Sequence, residues 1–215
     1  MNCFDVVVPW SRAAIVLGKE WGGEEKVDYY ARTDKKSKEK IRQDRRMGNL
    51  GEAAVRIHMQ SYGYDCPELS LDTASRYGEW QDDVKVKCPC VIVTPAGQTV
   101  RVEDDISVKS QTQVQAQRYH TSWMIQRQTP DRPGDPLLQQ PDAQILIMGV
   151  VILSYEPGQN IHTKIYPFFW PDVYKYLKDP ALPSLKGKKF VWYLSHMKDL
   201  VVPLIKPVYN HVAIV

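Results

Sequence analysis

Three features of this 215-residue chain predict an α/β fold, a central mixed β-sheet flanked by helices. An amphipathic helical pattern runs through GNLGEAAV, beginning at Gly48. Two alternating strand patterns follow it, joined at a Pro95-Ala96-Gly97 turn. An unbroken apolar run, ILIMGVVIL, then reads as a strand covered on both sides.

In chain order, FDVVV (4–8) fits a short strand or an N-terminal arm, and Gly22-Gly23 breaks the chain after it. Residues 24–47 are charged and helix-permissive, with DKKSKEKIRQDRR at the centre. Such a run is either a solvated helix face or an arm that contacts phosphates, and both readings stay open. Gly48 and Gly51 punctuate the expected start of the next helix, which places Glu52 in its first turn. Leu50, Ala54 and Ile57 recur there at helical spacing, Ala53 widens the stripe, and Gly63 is placed to cap the end. Residues 65–82 read as loop. From Val84, the residues Val84, Val86, Cys88, Cys90 and Ile92 alternate with Lys85 and Lys87, and Pro89 predicts an edge or a bulge.

On the second strand, Val100, Val102, Ile106 and Val108 share one face, interrupted by Asp104. Arg101, Glu103, Asp105, Ser107 and Lys109 share the other. Residues 111–128 suggest a helix with Ala116, His120 and Trp123 on one stripe, and DRPGDP (131–136) a loop. HTKIYPFFW gives a further strand, PDVYKYLK a short helix with Pro171 in its first turn, and KKFVWYL a last strand. The expected organisation is a charged helical segment at 1–47, a core at 48–178 and a basic, aromatic extension at 179–215 packed on that core.

Hydrophobic residues make up 43% of the chain and charged residues 25%, the balance of an ordinary globular domain. No apolar run is long enough to span a bilayer. FDVVVPW, interrupted by Pro9, is too short for a signal peptide, so a cytoplasmic protein without membrane contact is expected. The formal charge is +3, unevenly spread. Residues 1–46 carry 11 Lys and Arg against 8 Asp and Glu, residues 47–163 carry 9 against 14, and residues 164–215 carry 8 against 3. An acidic middle between basic flanks fits carboxylates gathered around a divalent cation, with lysines outside meeting an anionic polymer.

Several chemistries lack their residues. The five histidines show no HxxxH or HxH spacing and the four cysteines no CxxC, which argues against zinc. No serine sits in a nucleophile elbow, and no glycine-rich phosphate loop is present, so a nucleotide cofactor is not expected.

The acids and lysine of the middle block suit another reaction. Phosphodiester hydrolysis needs an activated water and a way to absorb transition-state charge. A Mg²⁺ ion held by two or three carboxylates supplies both, and a nearby lysine stabilises the developing charge or orients the water. Asp83 leads the first strand, while Asp105, Ser107 and Lys109 point the same way from the second.

Residues 48 to about 170, with G-x-x-G-E before a helix, Asp83 before alternating valines, and a hairpin ending in I-S-V-K-S-Q before a helix and an apolar strand, resemble the PD-(D/E)XK nuclease superfamily. That superfamily includes restriction endonucleases and Holliday-junction resolvases. The resemblance implies a restriction-endonuclease-like core and Mg²⁺-dependent DNA cleavage, with Mn²⁺ as a substitute. It implies Glu52 as the helix glutamate, Asp83 as the metal-bridging aspartate and Lys109 as the catalytic lysine. The family places an acid two residues before the lysine, where this chain has Ser107. Asp105 on the same face would take that role, or Glu103 further down; otherwise the site is silent and the protein binds DNA without cutting it. A second register pairs Asp83 with Lys85 and makes Asp72 the upstream acid.

On this reading Lys35, Lys36, Arg42, Arg45 and Arg46, together with Lys186, Lys188 and Lys189, contact phosphates. Gln111 contacts water or phosphate, or else caps the next helix. A homodimer would suit cleavage of both strands.

Overall fold

The computed structural model describes residues 3–18, 37–66, 84–86, 90–102, 105–130 and 134–203. It is an α/β arrangement around a mixed sheet. Nine strands are described: β1 (Phe4–Val8), β2 (Val84–Lys85), β3 (Cys90–Val93), β4 (Thr99–Val102), β5 (Asp105–Thr112), β6 (Ser122–Gln126), β7 (Leu146–Ile152), β8 (Ile161–Phe169) and β9 (Lys189–Tyr193). The helices are α1 (Trp10–Gly18), α2 (Lys38–Ser61), α3 (Gln113–Tyr119), α4 (Trp170–Lys175) and α5 (Leu194–Met197).

Five strands form the central sheet in the order β1-β8-β7-β5-β2. β5 and β7 are parallel, with Lys109 opposite Gly149, and the other pairings are antiparallel. β7 is buried at every position, as its apolar run predicts. β1 is the outer strand of this sheet, so the N-terminal residues share the core of the rest.

Residue alternation divides the packing into two layers. Ile106 and Val108 of β5 join Leu146, Met148, Val150 and Ile152 of β7 on one side, beneath Leu50, Ala53 and Ala54 of α2. Ile147, Val151, Tyr166 and Phe168 face the other side. That side is covered by the small β6–β9 sheet, which contributes Trp123 and Trp192.

Helix α2 differs from its expected extent. It starts at Lys38, capped by Ser37, whose hydroxyl accepts from the Lys40 amide at 3.2 Å. Gly48 and Gly51 therefore lie in its interior, and Glu52 sits mid-helix rather than in the first turn, away from the helix N-terminus. The expected boundary at residue 47 falls within the same helix. The charged segment persists as helix because its charges pair along the turn, Lys40 with Asp44 at 2.7 Å among them. Ile41 adds an apolar anchor at 5% exposure. The far end matches expectation: Gly63 adopts a φ of 87° and donates its amide to the Gln60 carbonyl at 2.9 Å.

The hairpin forms around the expected turn. Gly97 has a φ of 77°, and the Thr94 amide donates to the Gln98 carbonyl at 2.8 Å. β3 pairs with β4, and β2 with β5. The expected bulge residue Pro89 lies outside the described residues.

A helix over 111–128 does not form as expected. Gln111 belongs to β5, and only α3 is helical, started by a reciprocal capping box between Thr112 and Gln115. His120 turns the chain, and Trp123 sits on strand β6. The helical stripe was a coincidence of spacing; the β-prone Ser-Trp-Met-Ile-Gln segment gains a strand partner in β9.

Candidate functional site

The candidate site is the polar side of β5. Ser107, Lys109 and Gln111 alternate onto the side away from α2. The opposite direction of Ser110 fixes this assignment: a Cβ on Gly51 of α2 would lie 1.9 Å from the Ser110 hydroxyl oxygen.

Lys109 projects towards the turn that follows residues 131–133. Its Nζ lies 3.4 Å from Asp135 Oδ2, and the two side chains are only 18% and 6% exposed. Asp135 is held from two further directions. Its Oδ1 accepts from the Leu137 amide at 3.2 Å, starting the 3-10 turn Pro136–Gln139, and its own amide donates to the Gln126 carbonyl at 2.9 Å. The sequence predicts a loop over 131–136 and assigns Asp135 no role. The Asp-Pro pair that starts a helical turn was the available signal.

Gln111 is 7% exposed and serves as a brace. Its Nε2 donates to the His120 carbonyl at 3.1 Å and its Oε1 accepts from the Ser122 amide at 3.0 Å. Its amide group thus holds the turn that enters β6. Ser107 is 5% exposed beside Ile147 of β7.

The remaining candidates are dispersed. Glu52 is half-buried on α2, on the opposite side of the sheet from Lys109, so the helix glutamate and the strand lysine approach from different layers. Asp105 begins β5 opposite Lys85, with only its backbone described. Asp83, Asp72 and Glu103 lie outside the described residues, as do Lys35 and Lys36. Arg42 and Arg46 lie on α2, each 3.9 Å from Glu39, and Arg45 follows Asp44 on the same helix.

The C-terminal basic cluster comes near Lys109 through strand pairing. Gln126 of β6 pairs with Lys189 of β9. The Lys188 carbonyl accepts from the Arg127 amide and from Gln126 Nε2, both at 3.0 Å. Asp135 bonds the same residue, Gln126, from the other side. Lys188 and Lys186 are exposed here. Arg127 adds a guanidinium 4.3 Å from the Phe190 ring centroid and an ion pair with Asp179 at 2.9 Å. Lys109 is thus linked to this basic surface through Asp135 and then Gln126.

Among the described residues no group of three or more His, Cys, Asp or Glu side chains is close enough to hold a metal ion. Asp135 supplies one hard oxygen donor. A Mg²⁺ site would require carboxylates from Asp83 and Asp105, whose side chains lie outside the described set. No helix among the described residues is long and apolar enough to cross a membrane. Comparison of the chain with models of protein families, with curated proteins and with solved structures found no match.

Proposed function

We propose that the protein is a Mg²⁺-dependent DNA endonuclease of the PD-(D/E)XK kind, with Lys109 at the centre of its site. The observation that carries this reading is the pairing of Lys109 with Asp135 on the side of β5 away from α2. The family pattern needs an acid beside the lysine, and Ser107 cannot supply one. Asp135 brings a carboxylate to the lysine from a neighbouring turn, so the missing charge arrives through the fold rather than through the strand.

A bound Mg²⁺ would act as a Lewis acid and lower the pKa of its water. The chain's own contributions are distinct. Asp83 and Asp105 would hold the ion, and Asp135 fixes the Lys109 ammonium in a low-dielectric setting. Lys109 meets the charge that grows on the phosphate, and Lys186, Lys188 and Lys189 engage the DNA backbone near it. Glu52 lies on α2, across the sheet from this face of β5, and this reading gives it no part in the step.

A second reading has its own support. Ser107 is buried and uncharged, and Lys109 already has a carboxylate partner, which is a stable end state for a site that binds DNA without cutting it.

Plasmid cleavage in Mg²⁺ and in Mn²⁺ separates the two. For a nuclease, Asp83→Ala and Lys109→Ala each lower the rate by on the order of 10²–10³-fold, and Asp135→Asn lowers it as well. Salt-sensitive DNA binding with no cleavage in either metal selects the silent module. Absence of both removes nucleic acid from consideration.

A further inference from the structure

We propose that His120 is a DNA-contacting side chain, held in a costly backbone conformation beside Lys109; this rests on the DNA reading above. His120 has φ 64° and ψ 161°. No other non-glycine residue among those described has a positive φ. This combination belongs to a region that only glycine occupies without strain.

The surroundings impose the conformation. The His120 carbonyl accepts from Gln111 Nε2 at 3.1 Å and from Ser122 Oγ at 3.3 Å. Gln111 also accepts from the Ser122 amide at 3.0 Å, so one buried amide group fastens both ends of the turn. On the preceding side, the Thr112–Gln115 capping box fixes α3. The chain is thus committed to this turn from two directions, and glycine would satisfy it with less strain.

The imidazole itself is exposed, so no core packing accounts for a histidine here. Its position does. Gln111 lies two residues beyond Lys109 on the same side of β5, a separation of about 7 Å along a strand. The His120 turn therefore borders the Lys109 site at the end opposite Lys188, near the exposed guanidinium of Arg118. A DNA strand crossing Lys109 would pass between the Lys188 surface and this turn. On this proposal the exposed imidazole donates an N–H to a phosphate oxygen of that strand.

The test compares His120→Gly and His120→Ala in the full chain. Binding is read by anisotropy of a fluorescein-labelled duplex oligonucleotide, and stability by thermal unfolding. Both variants should bind about tenfold more weakly, because both lose the imidazole. Only His120→Gly should unfold later, by about 2–4 °C, because only glycine relieves the backbone. Wild-type affinity in both variants, or in His120→Gly alone, overturns the proposal. An unchanged melting temperature in His120→Gly overturns its premise of strain. Wild-type protein that does not bind the duplex overturns the DNA reading and this inference together, an outcome distinct from a loss confined to the variants.

Discussion

The two sides of the central sheet are closed by different means. On one, a helix lies directly on β5: Gly51 of α2 comes so near that a Cβ would meet the Ser110 side chain. On the other, a second small sheet lies over the strands, and Trp123 fills the space left by Gly149, where a Cβ would lie 2.6 Å from the indole ring. The helix offers no free backbone groups mid-length, so β5 presents Ile106 and Val108 to it. The β6 side offers the carbonyls and amides of a turn and a strand end, so Gln111 and Lys109 can be buried or half-buried there with partners. Polar chemistry collects where backbone groups are available to satisfy it.

Breaking the β6 side should have the largest effect. Trp123 is 2% exposed, its ring centroid lies 5.6 Å from that of Phe168 and 6.0 Å from that of Trp192, and its Nε1 donates to the Val150 carbonyl at 3.3 Å. Trp123→Ala removes the ring and the hydrogen bond together, and should cost about 3–5 kcal/mol in denaturant unfolding. A loss under about 1 kcal/mol would mean that the β6–β9 sheet does not seal this layer.

The α2 side carries its own titratable group. His58 is 3% exposed, its ring centroid 4.5 Å from that of Phe4 and 5.0 Å from that of Tyr62. Burial lowers its pKa from 6.5 to about 4. The unfolded chain therefore binds a proton that the folded chain refuses between these values. Its stabilising contribution is complete above pH 6.5 and is lost progressively as pH falls towards 4, roughly 3 kcal/mol in all. His58→Phe should flatten the stability profile in this window. A wild-type slope retained in that variant would assign the acid sensitivity to other groups.

Much of the scaffold was legible in the sequence because its signals are local. Unbroken burial of β7, the Gly97 turn and the Gly63 helix end each follow from a few adjacent residues. The start of α2 was not, because glycines usually mark helix ends, whereas Gly51 is here for close approach to β5. The site was legible only in part. Lys109 was singled out by its place on an alternating strand. Its partner Asp135 lies 26 positions later in the sequence, and the basic turn at Lys188 reaches the neighbourhood only through β6–β9 pairing. Gln111 showed a polar residue at a strand end, but nothing in its neighbours tells that the amide group will turn inwards to hold His120. Strand alternation separates Lys109 from Val108 and Ser110, and that was readable; which of the two faces α2 would cover was not, so Glu52 was expected beside Lys109 and lies across the sheet from it.

The smallest effect sharpens the contrast most, because it tests whether α2 seats by shape alone. Gly51→Ala has two opposing consequences. Replacing a helix-interior glycine gains about 1 kcal/mol of helix propensity. The new methyl would meet Ser110 Oγ at 1.9 Å and Ser110 Cβ at 3.1 Å, and the oxygen must move or the helix must lift. Overpacking of this kind costs about 1–3 kcal/mol, so the net loss should be about 1 kcal/mol. Ser110→Ala removes the colliding oxygen, which is buried without a hydrogen-bond partner, and should by itself be neutral or slightly stabilising. In the double variant the propensity gain remains and the worst collision is gone, so Gly51→Ala should change from destabilising to nearly neutral once Ser110 is alanine. Equal losses in the two backgrounds would place the obstruction in the β5 backbone or in Val108, whose Cγ1 would lie 3.5 Å from the new methyl, rather than in the serine.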